Sequence, residues 1–130
     1  MTIQISEKGS ENILKYLVGF KPTTETVTLK LYSSNTTPNS LTGAADLTEV
    51  TGGGYTSKIL GNTDWTVAGS VATTSPLVFT FTAGVGQIYG YYLVGNTSGL
   101  LIASERFSSG PFNITTSGDS VTVTATISVA

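Results

Sequence analysis

The sequence predicts an all-β protein: a single β-sandwich, of jelly-roll or immunoglobulin-like type, with a short N-terminal helix. Three observations carry that expectation. Segment after segment alternates apolar and polar residues with a period of two, as strands with one covered face require. Turn-forming Gly, Pro, Asn and Asp punctuate the chain about every 8–12 residues, the spacing of short sandwich strands. Only one segment, near the start, has the period of a helix.

In that segment Ser10 is placed to cap a helix beginning at Glu11. Ile13, Leu14, Leu17 and Val18 fall on one face, and Gly19 supplies a C-terminal cap. A helix of about two turns does not persist alone in water, so it must dock on the sheets or on a neighbouring subunit. After Pro22 the period switches to two. The chain therefore divides into an N-terminal arm with a short helix, residues 1–22, and a β-sandwich domain, residues 23–130.

Within the domain, Thr26–Tyr32 places Val27, Leu29 and Leu31 on one face, a half-buried strand. A polar stretch, Ser33–Ala45, reads as a long loop. Leu47–Val50 and Tyr55–Leu60 read as short strands flanking Gly52-Gly53-Gly54, a turn or bulge. Trp65–Val67 begins another strand, and Val71–Pro76 is a second polar connection before the alternation of Leu77–Thr82. Ile88–Val94 is the most aromatic strand, with Tyr89, Tyr91 and Leu93 on one face and Ile88, Tyr92 and Val94 on the other. Gly90 inside it marks a close approach of a neighbouring ring or backbone. Asn96–Gly99 turns into Leu101–Phe107, and the last strand alternates Val121, Val123, Ala125, Ile127 and Val129 with Ser and Thr.

Composition narrows the function. At 130 residues the chain can bury a core of its own. Only 11% of it is charged and the net charge is −2, against an average charged fraction of roughly 25%. Ser, Thr and Gly fill the gap, so the surface has little long-range steering. The six basic residues are scattered, which argues against nucleic acid as a partner, since phosphates demand a clustered basic face. The absence of Cys and His excludes disulfides, zinc sites with those ligands, and Ser-His or Cys-His catalytic pairs. No stretch approaches the apolar length of a membrane span, and Met1–Lys8 lacks the order of a secretion signal, so a soluble, cytosol-made protein without membrane contact is expected.

Catalysis finds little support. Asp46 and Glu49 fall on opposite faces of a strand, as do Glu105 and Arg106. A carboxylate pair would need distant residues such as Asp64 and Glu105 to converge. Gly84-Val85-Gly86 opens no helix, and Gly52-Gly53-Gly54 lacks the Lys of a phosphate loop, so both read as turns. Asp46, Asp64 and Asp119 lie in or near loops without the spacing of a calcium loop. Sequons at Asn35, Asn96 and Asn113 are what a Thr- and Asn-rich chain contains by chance. No cofactor is expected. Trp65 with Tyr89, Tyr91 and Tyr92 forms either a sugar-stacking platform, an interface anchor, or a core with hydroxyls at its edge.

Several short segments occur in a distinctive order. They are Leu29–Pro38, Asp46-Leu47-Thr48-Glu49 with Gly54-Tyr55, Trp65, Ile88–Tyr92, Ala103–Phe107 leading to Gly110-Pro111-Phe112, and Gly118–Val123. In that order the chain resembles a family of small virion structural proteins of tailed phages, over most of its length after Val27. The resemblance implies a head decoration (cement) protein on the capsid surface, made in the host cytoplasm. Its partner would be the major capsid protein, and it would form a homo-oligomer, with a trimer favoured. A tail, baseplate or fibre-base component is the structural alternative, and a carbohydrate-binding module the alternative from another class. The resemblance carries no catalytic residues. The N-terminal segment lies outside it, and there Ile3, Ile5, Ile13, Leu14, Leu17, Val18 and Phe20 need cover, which makes them the expected interface.

Overall fold

The computed structural model describes residues 3–10 and 26–128. Its organising element is a five-stranded antiparallel sheet in the order β1-β9-β8-β2-β3, formed by Gln4–Ile5, Leu101–Arg106, Gly90–Gly95, Val27–Tyr32 and Lys58–Leu60. The central pairing runs in register from Val27 opposite Gly95 to Tyr32 opposite Gly90. Leu29, Leu31, Tyr91, Leu93 and Ala103 project from one face of this sheet into the main core.

The opposing layer is built from three smaller antiparallel sheets. β6 (Leu77–Thr80) pairs with β11 (Ser120–Val123), and β7 (Gly86–Ile88) with β10 (Phe112–Ile114). The third sheet has the order β12-β5-β4, from Thr126–Ser128, Val71–Thr74 and Trp65–Ala68. These elements supply Phe79, Ile88, Ile114, Val121 and Val123 to the same core, with Phe81 just after β6 and Ala125 between β11 and β12. The result is an all-β, sandwich-like protein, as the period-two alternation requires.

Several elements depart from the sequence reading. The helix begins at Glu7, and its cap is Ser6: the Gly9 N–H donates to Ser6 Oγ at 2.9 Å, and the Ser10 N–H donates to the Ser6 carbonyl at 2.9 Å. Ser6 outcompetes Ser10 because β1 pins it against β9, where its hydroxyl also donates to the Leu101 carbonyl. The apolar set Ile13, Leu14, Leu17 and Val18, together with Phe20, lies outside the described residues.

The expected Val71–Pro76 connection is instead the second strand of a hairpin. β4 and β5 join through Gly69-Ser70, with Gly69 at φ 61°, in register from Trp65 opposite Thr74 to Ala68 opposite Val71. Leu47–Val50 forms only a single bridge, Glu49 to Tyr32, after a 3-10 turn at Ala44–Asp46.

The expected Ile88–Val94 strand is two strands in different sheets, broken at Tyr89. Ile88 therefore shares the main core with Tyr91 and Leu93, while Tyr89 sides with Tyr92 and Val94. The long last strand breaks likewise between Val123 and Thr126 but keeps its alternation. β2 is covered on both faces rather than one. The segment after it folds back so that Leu47 joins Tyr32, Tyr92 and Leu101 in a second buried cluster.

Candidate interaction surface

Each of the three aspartates is committed to its own loop. Asp46 Oδ2 accepts from the Gly43 N–H at 2.8 Å, and Asp64 Oδ2 from the Gly61 N–H at 2.7 Å. Asp119 Oδ2 accepts from the N–H groups of Thr115 and Thr116 at 2.9 and 3.1 Å, which hold its carboxyl below the usual carboxylate range. All three close turns, as Asp does when its side chain satisfies nearby backbone donors. Among the described residues no group of three Asp or Glu is placed to hold a metal ion.

Glu49 and Glu105 tie strands together. Glu49 accepts from Lys30 Nζ at 3.2 Å and from the Tyr55 hydroxyl at 2.9 Å, and that hydroxyl accepts from the Leu31 N–H at 3.1 Å. This network fastens the segment around Glu49 to β2. Glu105 accepts from Tyr91, and partial burial raises its carboxyl above the ordinary value. Asp64 and Glu105 thus serve separate elements, one closing the turn before β4 and the other bonding to β8.

Gly52-Gly53-Gly54 is a turn, while Gly84-Val85-Gly86 runs into β7 at Gly86. Gly52, Gly53 and Gly54 all have positive φ, and the Thr82 N–H donates to the Gly53 carbonyl at 2.8 Å. The Asn96 side chain bridges Thr26, at 2.6 Å, and Thr28.

The four aromatic candidates are not one platform. Tyr91 and Tyr92 are 2% and 4% exposed, on opposite faces of β8, in the main core and the second cluster. Tyr89 is half-buried under the Arg106 guanidinium, 5.1 Å from its ring centre, and donates to Gln87 at 2.6 Å. Trp65 packs against the main core from β4 and lines a groove of about 530 Å³ with Val27, Leu60, Asn62 and Ile127. No search of family models, curated proteins or solved structures returns a match to this chain.

Of the expected interface residues, Ile3 and Ile5 are half-buried and pack on the main core of their own chain, with Ile5 opposite Ala103 across the β1–β9 pair. The other five lie outside the described residues. The feature that sequence reading missed is the β4–β5 hairpin. From Thr66 to Val71 every residue is exposed, Val67 at 71% and Val71 at 36%. Its strands carry Thr, Val and Ala but no apolar alternation, because neither face of the outer half meets the core. The two-residue Gly-Ser turn was the available signal.

Proposed function

We propose that this protein is a decoration (cement) protein of a tailed-phage capsid, binding the outer surface of the major capsid protein shell as a homo-oligomer and stabilising it. The ordered series of segments from Leu29 to Val123 resembles that class of virion protein. The observation that carries the reading is the division of labour in the fold. The five described acids lying past residue 30 that could do chemistry are each engaged in a turn or a strand tie, while the outer half of an uncharged hairpin stands exposed to solvent. Surface, rather than a reactive constellation, is what the described part of the molecule offers a partner.

The role suits these properties. A cement protein acts through area buried against the shell, roughly 800 Å² per partner for a standard interface. Capsid symmetry repeats each contact, so modest individual affinity compounds. A surface poor in charge lets many copies pack closely without mutual repulsion.

The test is co-sedimentation of the purified protein with mature capsids that lack it, scored as copies bound per shell. Saturation at a large number matching icosahedral sites is the expected result. An intact, folded protein left entirely in the supernatant would overturn the reading and move the assignment to the tail.

A further inference from the structure

The β4–β5 hairpin has a second property besides its exposure. Among the described residues, β4 pairs only with β5, so its other edge presents unpaired backbone donors and acceptors. Natural edge strands are guarded against pairing by charged side chains, proline or bulges. From Trp65 to Ser75 there is no Lys, Arg, Asp, Glu or Pro, and the β4–β5 register is unbroken. Shortness is the one guard β4 retains.

We propose that this edge is a self-association site, at which β4 of one copy adds antiparallel to β4 of a second copy across a two-fold axis. The occupant follows from charge. In a two-fold strand pair each residue meets its own kind or a near neighbour, so a charged edge repels itself and a neutral one does not. Centred on Val67, the pairing sets the two Val67 side chains side by side, Thr66 opposite Ala68, and Asp64 opposite Ser70. No charge meets a charge, and two exposed valines are covered.

Four residues a side is far below the roughly 20–30 of a standard interface. The contact is therefore weak between free molecules and effective where copies are already held close together. It links single chains or neighbouring oligomers equally, and it does not rest on the capsid reading.

The experiment is sedimentation equilibrium of the purified full chain, without capsids, across concentrations from micromolar to millimolar. The wild type is expected to gain weight-average mass with concentration. Val67→Lys, which sets two ammonium groups side by side, should weaken that association by about tenfold or more while circular dichroism is unchanged. Val67→Thr, neutral and β-compatible, should retain it. A wild-type mass constant over the whole range, or a V67K profile that rises like the wild type, would overturn the proposal.

Discussion

Gly90 shows how one missing side chain lets a neighbouring ring and backbone come close. A Cβ built there would lie 2.2 Å from the Glu105 carbonyl oxygen and 2.5 Å from the Tyr32 hydroxyl. One obstacle is backbone in the paired strand β9, and the other is a ring with no exposed surface. Neither yields cheaply. The Tyr32 ring can cross β8 only at a glycine, and its hydroxyl then donates to the Thr36 carbonyl at 3.1 Å, anchoring the loop that follows. Gly90→Ala should therefore destabilise the fold by about 2 kcal/mol or more, as overpacking of a rigid site does. Urea unfolding would show it as a lower midpoint at unchanged slope, and a midpoint within error of wild type would refute the close approach. Period-two reading located this glycine and its reason, but not which ring it admits. That depends on β2 and β8 being neighbours, a pairing between segments far apart in sequence.

At the scale of elements, the N-terminal strand and the start of the helix are held by few groups. β1 contributes two residues to the sheet edge. The helix start is held by Ser6, which caps it and bonds back to the Leu101 carbonyl. Gly9 then lies so near β9 that a Cβ would sit 2.3 Å from the Ile102 carbonyl oxygen. Ser6→Ala removes the cap and deprives the Leu101 carbonyl of the hydroxyl that bonds to it, a combined cost of about 1–2 kcal/mol. Hydrogen exchange should report it locally, with faster exchange of the Gly9 and Ser10 amides than of the β2 and β8 amides. Uniform acceleration throughout the protein would instead mean that Ser6 supports the whole fold. Ser10 and Ser6 are equally good caps by residue type, and the choice between them is made by the β1–β9 pairing.

At the scale of the molecule, buried phenols set the alkaline limit. Burial pushes the Tyr32 and Tyr92 hydroxyls up to about 12 from an ordinary value of 10.0, with nearby Glu105 adding to the first, against Arg106, and Glu49 to the second. Tyr55 and Tyr91 are raised further, again chiefly by burial. A group whose folded pKa is raised binds its proton more tightly in the native state. Its stabilising contribution is therefore whole below pH 10 and is lost as pH rises through about 12. Phenolate absorbance of these residues should accordingly appear together with loss of the far-ultraviolet β signal. Their titration near pH 10 with the fold intact would contradict their burial.

The amino-acid order by itself determined the class of this protein and most of its strands. Alternation at Val27–Leu31, Leu77–Phe81 and Val121–Ile127 leaves an apolar face that only a covered sheet satisfies. It also determined what the chemistry lacks, since chain composition admits no thiol or imidazole. Tertiary structure alone decided which faces are doubly covered, where strands change sheets, and which polar strand stands free. The aromatic strand illustrates the reason. Ile88, Tyr91 and Leu93 share a core only because the backbone turns a corner at Tyr89, and beside that corner Gly90 leaves room for a ring from β2. Local pattern records what each residue prefers beside it, whereas long-range pairing decides which surface is left for a partner.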